Sequence, residues 1–228
     1  MEARLYRHVI FDFDGVICDS LKAAIQEINR LREREFPALP VIKDQQDMCV
    51  IYAGSLRTCL DPWLTPSDGK RFFDLHSEAM AKRMDNLNAF PGIGDVLSAF
   101  GFAGSSIVTS SYSEGVRSVL RRLPLFDERF IHTIAGREQR QTKTAKIRAI
   151  LESLSLSEAE AVYVGDLESD IQYCRDVPID IVAVAYGYHP KSYLISKSPT
   201  YLVESVNELR ELLCGLCLPK TINSVNQL

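Results

Sequence analysis

The feature that most constrains this chain's fold is a series of short apolar, β-branched runs, the later ones followed by helical patterns. The runs are His8–Phe13, Ser106–Thr109, Ile131–Ala135, Ala161–Gly165 and Ile181–Ala185. Helical periodicity marks Glu114–Arg122, Thr144–Leu154, about Asp170–Asp176, and Glu204–Leu213. The third of these must stop near Val177, because Pro178 disfavours helical geometry in the residue before it. Strands that are apolar throughout are buried on both faces. With helices between them they predict an α/β fold, a parallel sheet covered on both sides.

One interval breaks the rhythm. Far more residues separate the first two runs than a crossover needs. Leu21, Ala24, Ile25, Ile28 and Leu31 recur at helical spacing, with Asp19 or Ser20 as N-cap. Phe73, His76, Ser77, Met80, Met84 and Leu87 form a second helical stripe, with Ser67 or Asp68 near its start. Between them, Asp44–Leu60 reads as a less regular helix broken near Gly54, and Pro91-Gly92 closes the segment. The expected organisation is a core of residues 1–19 and 90–218, a helical insert over 20–89, and a frayed polar tail over 219–228.

Bulk properties exclude several classes. The 228 residues carry a formal net charge of -4, which points to neither nucleic acid nor a membrane surface as partner. No apolar run approaches the length of a membrane span. The charged N-terminus runs straight into the first strand and is not a signal peptide. The six cysteines are scattered. Cys214 and Cys217 form a CxxC, but no second pair completes a zinc site. Cys214 is expected in the core, with Cys217 a weak redox candidate. Reduced thiols and a cytoplasmic location are the expectation.

Four features at strand ends or helix starts carry chemistry. The first is Val9-Ile10-Phe11-Asp12-Phe13-Asp14-Gly15-Val16. Residues i and i+2 of a strand share a side, so Asp12 and Asp14 leave the strand end together. Two carboxylates about 4 Å apart repel by roughly 4 kcal/mol at an effective dielectric near 20, so a cation or a proton is needed between them. The others are Thr109-Ser110-Ser111, Lys143 in Gln141-Thr142-Lys143-Thr144, and Gly165-Asp166-Leu167-Glu168-Ser169-Asp170. In an open parallel sheet the ligand site lies beyond the strands' carboxyl ends, so all four share one edge. Asp12, Asp14, Asp166 and Asp170 supply hard oxygen ligands with no His or Cys beside them, a set that suits Mg²⁺. Lys143 adds positive charge, and Thr109 with the following amides adds donors. Together they form a receptor for a phosphate dianion. One aspartate can attack phosphorus while the other protonates the leaving alkoxide.

These motifs, in this order, resemble the haloacid dehalogenase superfamily of phosphotransferases. The match spans about His8 to Pro190. It is closest to phosphoglycolate phosphatase-like and β-phosphoglucomutase-like members, and Tyr186-Gly187-Tyr188-His189 resembles a segment of the former. The resemblance implies a Rossmann-like core with a small helical cap inserted after the first strand. It implies Asp12 as nucleophile, Asp14 as general acid/base, Thr109 holding the phosphoryl group and Lys143 neutralising both. Asp166 would ligate Mg²⁺ with Asp12 and the Asp14 carbonyl, and Asp170 would ligate it or support its shell. Asp14 argues against dehalogenation, since the superfamily's dehalogenases lack the second aspartate. Two departures loosen the subfamily match: Thr144 follows the lysine where many relatives have Pro, and Asp176-Val177-Pro178 stands where many have Ala-Gly.

Each motif alone has a plainer reading as a turn, a cap or a solvated lysine; the ordered set of four does not. The Phe73–Leu87 stripe reads as core of the insert, His76 and His132 as packing residues, and Arg30–Glu35 as a solvated face. Gly54-Ser55-Leu56-Arg57 is either a helix break or a loop reaching substrate, with Arg57 contacting an anion. The leading expectation is a Mg²⁺-dependent phosphatase for a small phosphorylated metabolite. The alternatives are a phosphomutase, or a scaffold that keeps the site without turnover.

Overall fold

The computed structural model describes residues 5–54, 58–101, 104–124 and 126–217, with backbone alone at 100 and 101. All five apolar runs form strands: β1 (His8–Phe11), β2 (Ser105–Val108), β3 (Ile131–Ala135), β4 (Ala161–Gly165) and β5 (Asp180–Val184). A sixth, β6 (Tyr201–Val203), completes the edge of one parallel sheet ordered β3-β2-β1-β4-β5-β6. Its three residues, two only half-buried, carry too little pattern to be read from sequence.

Strand residues alternate between two cores, as the period of two requires. Val9, Phe11, Val162, Val164, Val182 and Val184 pack on one face. Ile10, Ala161, Tyr163, Ile181 and Ala183 pack on the other. The second face is covered by α6 (Lys143–Leu154), α7 (Glu168–Asp176) and α8 (Lys191–Ser196), through Ile147, Ile171 and Leu194. The first is covered by α4 (Ile93–Gly101), α5 (Ser113–Leu120) and α9 (Val206–Leu216), through Val96, Val116 and Leu209. The chain leaves β1 for β2 and β3, then crosses back to β4, so strand order reverses beside β1. The crevice at its carboxyl end is where such sheets bind ligands.

Between β1 and α4 lie α1 (Leu21–Arg34), α2 (Gln45–Ile51) and α3 (Pro66–Ala81). Their caps differ in part from expectation. Ser20 occupies the N-cap of α1, but its hydroxyl pairs with Tyr188 Oη at 2.9 Å instead of capping. Helix α3 starts earlier than Ser67 or Asp68: Thr65 Oγ1 accepts from Asp68 N at 3.2 Å, and Pro66 fits the first helical position. The apolar stripe extends past this helix into a 3₁₀ turn at Met84–Asn86, so one period spans two elements. Asp44 caps α2, which ends at Ile51, before Gly54.

The cysteine expectation is reversed. Cys214 is exposed and Cys217 is buried on α9's inner side, where burial pushes its thiol up to about 12. Its backbone bridges Tyr6. Among the described residues no helix is long and apolar enough to cross a membrane. The tail over 219–228 lies outside the described residues.

Candidate active site

Strand β1 ends at Phe11, short of the end of its apolar run, and Asp12 is tied to the sheet by its amide, which donates to Val164 O at 2.8 Å. The chain then turns tightly. The amides of Ile17 and Cys18 both donate to Phe13 O at 2.9 Å. Gly15 holds φ +74° in this turn, and a Cβ there would lie 1.9 Å from Asp166 Oδ2. Asp14 therefore reaches the site through a turn and not as the strand neighbour of Asp12. Its Oδ2 accepts from Ser111 Oγ at 2.6 Å.

The Asp12 carboxylate is almost wholly buried. Oδ1 accepts from Phe13 N at 2.7 Å and Oδ2 from Lys143 Nζ at 2.5 Å. The same ammonium donates to Asp170 Oδ1 at 2.8 Å. Thr142 caps α6 by accepting from Ala145 N at 3.2 Å, which makes Lys143 the first helical residue, facing the strand ends. Lys146, one turn on, donates to Thr109 O at 2.8 Å and touches neither carboxylate. The ammonium within the carboxylate cluster is therefore that of Lys143.

Asp166 and Asp170 sit at the start of α7. Asp170 Oδ2 accepts from Leu167 N at 3.1 Å and Asp166 N at 3.3 Å, folding the turn over itself. Asp166 Oδ2 accepts from Tyr188 N at 2.7 Å. That approach needs Gly187, where a Cβ would stand 2.4 Å from Asp166 Cβ and 2.5 Å from Gly15 O. Gly187 and Tyr188 are supports signalled in the sequence only by the Tyr186–His189 segment, and Ser20, read there as an N-cap, supports Tyr188 instead. His189, fully buried, accepts Glu168 N on Nδ1 at 3.1 Å.

Asp12, Asp166 and Asp170 offer one oxygen each, all within 4.8 Å of one another and all buried. Lys143 cancels one charge of the three. Burial pushes Asp12 up to about 7 against the pull of Lys143, with Asp170 adding to the rise, and it lifts Asp166 well above the carboxylate range. Burial pulls Lys143 down, but Asp12 and Asp170 reverse this and hold it well above its ordinary value. Asp166 Oδ1 is buried with no hydrogen-bond partner. A compact set of hard oxygens with surplus negative charge fits a small divalent cation such as Mg²⁺. The Asp14 carboxylate is not part of this set. It is lifted by burial, and its Oδ1 is likewise buried and unpartnered.

Thr109 is buried, its amide donating to Ala135 O at 3.1 Å and its hydroxyl accepting from Ser111 N at 2.9 Å. The Ser111 amide is thereby engaged, which narrows the donors first expected there. Ser110 is exposed at the rim. Asp12, Asp14, Thr109, Ser110, Ser111 and Lys143 all line one cavity of about 500 Å³ beneath α3. Arg57 lies outside the described residues.

The insert meets the core through polar contacts. Arg137 pairs with Asp74 of α3 at 2.5 Å, Gly54 N donates to Glu168 at 2.7 Å, and Gln45 Nε2 donates to Ala185 O and Gly187 O at 3.0 and 2.8 Å. The arrangement pairs a buried carboxylate held by an ammonium with a second carboxylate free to exchange a proton. Such a pair can carry out nucleophilic displacement with acid/base help.

Known proteins resemble this chain over most of its length. The family model for haloacid dehalogenase-like hydrolases matches residues 9–184. A phosphoglycolate phosphatase of Synechococcus elongatus is 26% identical over 215 residues, covering 91% of this chain and 97% of the relative. One of Pseudomonas syringae pv. tomato is 23% identical, covering 94% and 81%. The crystal structure of a predicted phosphatase from Clostridium acetobutylicum superposes with a TM-score of 0.74 at 23% identity, covering 93% of this chain and all of that one.

Proposed function

The chain belongs to the haloacid dehalogenase-like hydrolases, and from that premise we propose that it is a Mg²⁺-dependent phosphatase acting on a small phosphorylated metabolite through an aspartyl phosphate on Asp12. The observation that carries this is the division of the carboxylates. Asp12 is held by Lys143 at 2.5 Å within the Asp12/Asp166/Asp170 cluster, while Asp14 stands apart on Ser111 at 2.6 Å. The curated relatives named phosphoglycolate phosphatase support the reaction class.

Asp12, Asp166 and Asp170, with the Asp14 carbonyl, would hold Mg²⁺. When bound, the ion polarises a phosphoryl oxygen and neutralises charge. The Asp12 carboxylate attacks phosphorus, and the bond from phosphorus to the leaving oxygen breaks. Asp14 gives that oxygen a proton, then takes one from the water that cleaves the Asp12–phosphorus bond and releases phosphate. Lys143 pulls the nucleophile toward its ionised form against burial and faces the dianion. Thr109 and Ser110 line the phosphoryl side. Residues 20–89 form a cap whose closure excludes bulk water.

The test is turnover of 4-nitrophenyl phosphate with Mg²⁺, following free phosphate. Wild type should release it, and Asp12→Asn should release none while keeping its circular dichroism spectrum. Full activity in that variant would sink the mechanism. Release of free phosphate also separates this reading from a phosphomutase, which passes the group on.

A further inference from the structure

The cavity beyond the carboxylates limits what alcohol the phosphate can be attached to. Its volume of about 500 Å³ lies in the range of pockets for ligands much larger than a two-carbon acid. Such an acid phosphate would fill no more than roughly half of it, even if each non-hydrogen atom took the ~30 Å³ share of a liquid water molecule. Five apolar side chains line it, Tyr52, Leu60, Phe73 and Met80 of the insert with Leu167 of the core. Tyr52 anchors this lining, its ring 6.1 Å from Phe73 and 6.0 Å from Tyr188.

The charges of this lining point the same way. Its cations other than Lys143 are, among the described residues, Lys70 and Arg137, and both rest on Asp74, at 2.6 and 2.5 Å. Asp61 adds a further carboxylate. His76 also lines the cavity, and burial depresses it to about 4, so it is neutral at pH 7. Among the described residues these two cations face two carboxylates, so a leaving group with its own carboxylate would meet cations already paired and a lining with no net positive charge to receive it. An uncharged group with an apolar face would displace water from five apolar side chains.

Building on the phosphatase reading above, we propose that the substrate is the phosphate monoester of a bulky uncharged alcohol with an apolar or aromatic face, not a small phosphorylated acid. The experiment compares kcat/KM for benzyl phosphate, ethyl phosphate and 2-phosphoglycolate, three alkyl esters without an activated leaving group, beside 4-nitrophenyl phosphate. Benzyl phosphate should exceed the other two alkyl esters by at least tenfold, the scale of one methylene in a hydrophobic pocket. Phe73→Ala should cut the benzyl-to-ethyl ratio by a similar factor. If 2-phosphoglycolate matches or exceeds benzyl phosphate while 4-nitrophenyl phosphate is cleaved, the substrate inference is overturned and the phosphatase reading stands. If wild type cleaves none of the four with Mg²⁺ present, both are overturned.

Discussion

Replacing Lys143 with Met removes the ammonium from the carboxylate cluster and keeps most of the side chain's volume. That ammonium lies 2.5 Å from Asp12 and 2.8 Å from Asp170. At an effective dielectric near 20 each pair is a gross attraction of about 6 kcal/mol, most of it offset by desolvation of the buried ions. The carboxylates left behind repel by about 3 kcal/mol per pair at the 4.8 Å limit of their separation. The expected net loss is about 3–5 kcal/mol, as when one partner of a buried ion pair is removed. Urea unfolding in EDTA should show it as a lower midpoint at unchanged slope. Mg²⁺ at 100 times its dissociation constant should return about 2.7 kcal/mol. Lys146→Met is the contrast, because its ammonium is equally hidden but meets only the Thr109 carbonyl. Its loss of a charged hydrogen bond, about 1.5–3 kcal/mol, is offset by relief of a buried charge. A Lys143→Met protein within about 1 kcal/mol of wild type in EDTA, the scale of an exposed pair, would refute the electrostatic account.

Three further outcomes follow from named contacts. Gly15→Ala should cost about 1–2 kcal/mol from its left-handed backbone alone, and its Cβ must push Asp166 aside, so calorimetry should also show weaker Mg²⁺ binding. Asp14→Asn should lower kcat on alkyl phosphates by about 10²–10⁴, and by less on 4-nitrophenyl phosphate, whose leaving group needs little protonation; equal losses on both would remove Asp14 as the acid. His76 is depressed from 6.5 to about 4 by burial, so the unfolded chain takes up its proton first as pH falls. Its contribution is complete above pH 6.5 and shrinks as pH falls toward 4. Wild type should lose about 2 kcal/mol relative to His76→Gln between pH 7 and pH 5, read by urea unfolding at both. The comparison has to be relative, because the raised carboxylates Asp12, Asp14 and Asp166 gain stability over the same fall.

The strands were legible because their residues are buried on both faces, which leaves unbroken apolar runs. Helix α4 was not, since Ile93-Gly94-Asp95-Val96-Leu97-Ser98 offers fewer than three turns of pattern, with glycine at its second position. Edge strand β6 has one buried residue of three. Asp12, Lys143, Asp166 and Asp170, picked out because each stands at a strand end or a helix start, lie together in the structure. The partners that aim them were not picked out. Tyr188 N on Asp166 joins residues 22 apart, and Ser20 on Tyr188 joins residues 168 apart, and no local pattern encodes such pairs. The CxxC misreading has a different root, the local periodicity itself: α9 buries Leu209 and Leu213, which leaves Cys214 facing outward.

The long-range partners also account for why two aspartates in one tripeptide differ so much. Spacing alone makes them equivalent, two like charges repelling across one strand end. The turn at Gly15 separates them. It lets Asp12 stay with the sheet through Val164 and sends Asp14 toward Ser111, beyond β2. Gly15 takes the left-handed backbone of that turn, and Gly15 and Gly187 both close on Asp166, where neither leaves room for a Cβ. Two glycines far apart in the chain thus let Asp166 pack against the turn that takes Asp12 to Lys143 and Asp14 to Ser111.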